Sequence, residues 1–138
     1  WDMTRKEWSG RTLLPSPLED SLSANFIQTI LANPEDMAAA YQREFGEPII
    51  YSKAVIKAVE SIATIDKPDA SMEWLYRFLQ NDPVFQGSTT KIFKNVGDIA
   101  QENPPIGITT FSKLRKNKNS SFPWGPGILI IHSASKFH

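Results

Sequence analysis

The sequence predicts an α/β fold on a mixed, mostly parallel sheet, and three stretches carry that expectation. Residues 84–111, VFQGSTTKIFKNVGDIAQENPPIGITTF, read as a strand ending in Gly87, a hydroxyl-rich turn at Ser88, Thr89 and Thr90, a helix closing near Asn103, and a second strand over 106–111. Residues 11–14 read as another strand, stopped by Pro15 and Pro17 and feeding a capped helix, which is a βα connection. Residues 127–134, GILIIHSA, are a run of aliphatic and β-branched side chains of the kind a doubly covered strand requires. Strands that alternate with helices build a sheet with helices on its faces.

Taken in order, the opening WDMTRKEWSG sets two tryptophans around a short polar helical turn before Gly10. After the first strand, Asp20, Ser21 and Ser23 are all competent helix N-caps. Capping explains one of the three and leaves two hydroxyls over. Phe26, Ile27, Ile30 and Leu31 then fall at helical spacing, and Asn33-Pro34-Glu35-Asp36 closes that helix and opens the next. Met37, Ala38, Tyr41 and Phe45 form its stripe up to Gly46.

A break at Glu47-Pro48 precedes a helix over 52–65 with Ala54, Val55, Ala58, Val59, Ile62 and Ile65 on one face. The turn at 66–69 leads to a helix running to Gln80, whose Met72, Leu75, Tyr76, Phe78 and Leu79 point inward with Trp74 beside them. Asn81-Asp82-Pro83 ends it. The helix after Gly87 buries Ile92, Phe93, Val96, Ile99 and Ala100, and Gly97 costs it about 1 kcal/mol relative to alanine.

A chain of 138 residues with 41% hydrophobic and 22% charged content supports one globular domain, 1–138. Acids and bases balance at 15 each, which gives no nucleic-acid footprint. The basic run Lys113, Arg115, Lys116 and Lys118 lacks interleaved aromatics and reads as a solvated loop. Zero cysteines remove disulfides, thiolate metal sites and cysteine nucleophiles, and tilt the expected compartment slightly toward outside the cytoplasm. No run of 18 apolar residues occurs, and the start at Trp1-Asp2-Met3, with neither signal peptide nor initiator methionine, suggests a piece of something longer.

Catalysis is poorly supplied. His132 lies in an apolar strand and His138 is the last residue, with no metal-ligand partner at a useful spacing, and no GxSxG, P-loop, HExxH or dinucleotide fingerprint is present. The expectation is a protein that is not an enzyme and has no resident cofactor or protein-held metal. Binding is better supplied. Two helix N-termini, after Pro17 and after Gly87, combine serine and threonine hydroxyls with free backbone N–H groups, an arrangement that receives phosphate, carboxylate or carbonate. Turn and cap requirements are the competing account of each site taken singly.

The order of features resembles the second lobe of the type II periplasmic solute-binding proteins of bacterial iron(III) ABC importers and their relatives. The pieces are Trp8-Ser9-Gly10-Arg11 followed by Pro15-Ser16-Pro17, Ser21 and Ser23 before a helix, and the helix containing Trp74-Leu75-Tyr76-Arg77-Phe78-Leu79. The Gly87-Ser88 turn, Pro105-Ile106-Gly107-Ile108-Thr109, and the closing strand with Ser135-Lys136 complete it, so that the resemblance covers nearly the whole chain.

The resemblance implies a three-layer αβα lobe of a type II periplasmic-binding-protein fold, with an extra helical insertion at about 34–69 and a second lobe on both sides of these residues. It further implies a periplasmic or extracytoplasmic monomer, compatible with a lipoprotein anchor. Such a protein delivers a small anionic or metal-chelate ligand of the iron(III) type to an ABC permease, and hinge closure on the ligand is what the permease senses. Its candidate ligand contacts are Ser21, Ser23, Gly87, Ser88, Thr89 and Thr109. Iron-binding members end the strand matching 106–111 in adjacent tyrosines, whereas Thr109-Thr110-Phe111-Ser112 stands here, so tyrosine ligation does not carry over. The alternative expectation is a protein-interaction module that docks a permease or other membrane partner.

Overall fold

Residues 1–87, 91–92, 105–110 and 128–131 are described by the computed structural model of the chain. Two 3-10 turns, Asp2–Thr4 and Lys6–Trp8, lead into β1 (Thr12–Pro15). Four helices follow: α1 (Ser21–Ala32), α2 (Pro34–Phe45), α3 (Lys53–Glu60) and α4 (Ala70–Gln80). Then come β2 (Val84–Gln86), a helical pair at 91–92, β3 (Ile106–Thr110) and β4 (Ile128–Ile131). The chain is therefore α/β. Its strands lie in the order β2-β1-β3-β4, and all three described pairings are parallel, in keeping with the mostly parallel sheet expected.

The two faces of β1 carry separate cores, as the period of a strand dictates. Leu14 is fully buried with Leu22, Trp74, Phe78 and Ile108, while its neighbour Leu13 packs with Ile92 on the opposite face. The α1 and α4 helices thus cover one face, and the turn of helix at 91–92 touches the other. Trp74 stacks on Phe78 at 4.8 Å, one turn further along α4, and meets Phe26 of α1 edge-on at 5.9 Å. Ser71 donates its hydroxyl to the Ile30 carbonyl at 2.5 Å, which fixes how α4 lies on α1.

Local chemistry explains the element ends. Asp20 caps α1 by accepting from the Leu22 amide at 2.8 Å, and Asp69 caps α4 by accepting from Met72 at 3.0 Å. Pro34 occupies the first turn of α2, and Gly46, at φ 70°, closes that helix in the left-handed conformation. At the other end of α4, Asn81 donates to the carbonyls of Met3 at 2.9 Å and Arg5 at 2.7 Å, strapping the first turns to the body.

Three expectations differ from the structure. The third helix stops at Glu60, five residues short of the expected end, because the following turns at Ser61 to Ile65 bond back only to Ala58, Val59 and Ile62. In α4 the buried residues are Ala70, Ser71, Glu73, Trp74 and Phe78, whereas Leu75 is half-buried and Leu79 exposed. Phe45 and Ala38 of the α2 stripe are exposed, and Tyr41 alone of that stripe is buried. The remainder of the expected helix with Phe93, Val96, Gly97, Ile99 and Ala100, the basic run at 113–118 and both histidines lie outside the described residues.

Candidate functional site

In a parallel sheet whose middle strand is β1, successive crossovers run to opposite sides of it, first to β2 and then back across to β3. β1 and β3 are adjacent, and the crossovers that leave them lead to opposite sides, so a ligand site in such a sheet is expected at the C-terminal ends of these two strands. The residues available there are the 16–20 loop, the first turn of α1, Gly87 after β2 and Thr109–Thr110 at the end of β3.

The 16–20 loop is tightly bonded. The Ser16 amide donates to the Gln86 carbonyl at 2.8 Å, which joins the ends of β1 and β2. The Ser16 carbonyl accepts from the amides of Glu19 at 3.1 Å and Asp20 at 3.0 Å, and its hydroxyl accepts from the Leu18 amide at 3.3 Å. Glu19 leans toward Gly87: a β-carbon built on Gly87 would stand 3.3 Å from Glu19 Oε2 and 3.9 Å from Lys91 Nζ. The bare backbone of Gly87 is what leaves room for an acid and a base to converge at this corner.

The expected contact residues are distributed unevenly over this edge. Ser21 is exposed in the first turn of α1, and Gly87 is exposed beyond β2. Ser23 is fully buried and donates its hydroxyl to the Pro15 carbonyl, so it joins the helix to the strand beneath the edge. Thr109 lies in β3, in register with Ile130 of β4. Ser88 and Thr89 lie outside the described residues. The acids Glu19 and Asp20 are additions to the site; Asp20 was legible as a cap, but the approach of Glu19 to Gly87 depends on strand pairing that no local pattern encodes.

A heavily bonded side chain lies elsewhere among the described residues. Glu73, fully buried in α4, accepts from the Ser52 amide at 2.5 Å, the Ser52 hydroxyl at 2.7 Å and Arg77 Nε at 3.1 Å. Arg77 continues to the Ile50 carbonyl at 3.1 Å and lies over the rings of Trp1 and Tyr41. Nearby, burial pushes the Tyr51 phenol above its ordinary range, and the charges of Asp69 and Glu73 add to that. The spacing of Glu73 and Arg77, four apart on one helix, was the available signal. Among the described residues, no group of three or more His, Cys, Asp or Glu side chains is placed to hold a metal ion, and no helix is long and apolar enough to cross a membrane.

No family model, curated protein or solved structure matches the chain.

Proposed function

We propose that the chain is the ligand-binding lobe of an extracytoplasmic solute-binding protein, taking a small metal-chelate or anionic ligand of the iron(III) type at the C-terminal edge of its sheet and presenting it to an ABC permease. The observation that supports this reading is the strand order β2-β1-β3-β4 with every described pairing parallel, which makes β1 and β3 neighbours whose C-terminal ends lie on one edge of the sheet. In this reading the lobe has three αβα layers of the type II periplasmic-binding-protein kind, residues 34–69 are a lobe-specific insertion, and a second lobe supplies the other wall. Ser21, Gly87, Ser88, Thr89 and Thr109 contact the ligand, and Ser23 holds the α1 end in place.

The acids at this edge favour a chelate over a bare anion. Asp20 already complements the α1 dipole and takes one of its free N–H groups, and Glu19 adds a second negative charge within the same loop. An anion that arrives bound to a cation avoids that repulsion. Calorimetric titration of the intact protein with ferric chelates, phosphate, sugar phosphates and polyamines tests the reading. The Ser21→Ala/Ser88→Ala double variant is expected to lose at least about tenfold in affinity for the ligand that binds, roughly 1.4 kcal/mol. Unchanged affinity in the double variant defeats the site.

The apolar groove between α3 and α4 favours a second reading, a module that docks a permease or other membrane partner. Reversing the charges of Lys113, Arg115, Lys116 and Lys118 separates the two, since loss of transport with ligand binding intact supports docking.

A further inference from the structure

The segment 47–65 is attached to the rest of the protein in an unusual way. Among the described residues, its hydrogen bonds to the body all pass through one pair, the buried Glu73 and the half-buried Arg77. Glu73 takes both the amide and the hydroxyl of Ser52, and Arg77, itself bonded to Glu73, takes the Ile50 carbonyl. Beyond α3, the amides of Ser61, Ile62 and Ile65 bond only to carbonyls of the same segment.

Apolar attachment is equally thin. Only Val55 and Val59 of α3 are buried, and α3 lines an open groove of about 280 Å³ together with Met72, Leu75, Tyr76 and Leu79 of α4. Ile56 and Ile62 remain more than 40% exposed. A helix that buries two side chains and borders an open groove depends heavily on its polar clasp.

We infer that α3 is a flap latched by the Ser52–Glu73 clasp, which opens as a unit about the loops on either side and uncovers the apolar face of α4. The clasp sits at the N-terminal end of the flap, and Ser52 is the residue that precedes the first turn of α3. Its hydroxyl makes no capping bond to α3, because it is given to Glu73. Removing that hydroxyl therefore loosens the latch without removing a helix cap. The inference does not depend on the ligand reading, since it concerns residues away from the sheet edge.

Amide hydrogen exchange on the intact protein tests it. The amides from Ile56 to Ile62 are expected to exchange at least tenfold faster than those of Trp74 and Phe78, with one common rate that marks a cooperative opening. Ser52→Ala is expected to speed all of them by a shared factor of about ten- to a hundredfold, consistent with loss of one hydrogen bond to a charged group, and to leave the amides of α1 and α4 unchanged. Glu73→Gln should act more strongly in the same direction. If Glu73→Gln fails to fold, Ser52→Ala alone decides. Equal protection of α3 and α4 in the unsubstituted protein overturns the flap, and so does a Ser52→Ala effect confined to the first turn of α3 or spread over every helix.

Discussion

Ser23 donates its hydroxyl to the carbonyl of Pro15, so that the first turn of α1 is bonded directly to the last residue of β1. The bond is buried and lies where β1 ends. Replacing Ser23 with alanine leaves that carbonyl buried and unpaired. Ser23→Ala is expected to lower the free energy of unfolding by about 1–3 kcal/mol, read as a shift in denaturant midpoint with unchanged slope. A change within about 0.5 kcal/mol would show that water replaces the hydroxyl and that the strand-to-helix bond is dispensable.

Trp74 unites the sheet-facing core, touching Phe26 on α1 and Phe78 on its own helix while 2% exposed. Trp74→Ala is expected to destabilise the protein by about 3–5 kcal/mol, because the neighbours belong to three elements and cannot collapse together into the space. Trp74→Phe keeps a ring in the stack and should cost well under half as much. Thermal unfolding of the two variants distinguishes them, and equal losses would mean that ring stacking contributes nothing beyond volume.

Gly46 and Gly87 separate backbone cost from contact cost. Gly46 closes α2 at φ 70° with nothing within 4 Å of a β-carbon built on it, so Gly46→Ala should cost about 1 kcal/mol through conformation alone. Gly87→Ala meets Glu19 Oε2 at 3.3 Å, the far end of a flexible side chain that can move aside. Its expected effect on stability is within about 0.5 kcal/mol. Denaturant unfolding reads both, and a larger loss at Gly87 than at Gly46 would contradict the assignment of strain.

How far the sequence reveals this depends on whether the signal is local. Asp20, Pro34, Gly46 and Asp69 end or begin helices through contacts within a few residues, and punctuation of that kind is readable. The face of α4 was misread for a physical reason. That helix packs on several partners, presenting Trp74 and Phe78 to the sheet core and Met72, Leu75, Tyr76 and Leu79 toward α3, with α1 and α2 also against it. A single apolar stripe sought by periodicity merges the two faces and passes over Ser71 and Glu73, which are buried because Ile30 and Ser52 supply partners from distant parts of the chain. At the candidate site, Ser21 and Gly87 were legible as a helix start and a strand end. The burial of Ser23 was not, since it follows from how closely α1 returns onto β1.

The Arg5–Glu44 pair gives the protein an acid-sensitive contact between its first turns and the end of α2. Arg5 hydrogen-bonds to Glu44 with both Nε and Nη2, and also lies over the Phe45 ring at 5.0 Å. The Glu44 carboxyl is held below the ordinary glutamate value, first by that hydrogen bond, against an opposing effect of burial. A carboxyl whose folded value is depressed adds stability that is complete above its unfolded value, about 4.5, and is lost as pH falls through the folded value. Glu44→Gln should therefore be less stable than the unsubstituted protein near neutral pH, and the gap should close on acidification below about pH 4.5. Because the Arg5 side chain is 39% exposed and within reach of solvent ions, the gap should also shrink as ionic strength rises toward about 1 M. Denaturant titrations of both proteins across pH and salt measure it. A gap that widens on acidification would mean that Glu44 is held protonated in the folded protein and that its bond to Arg5 is not ionic.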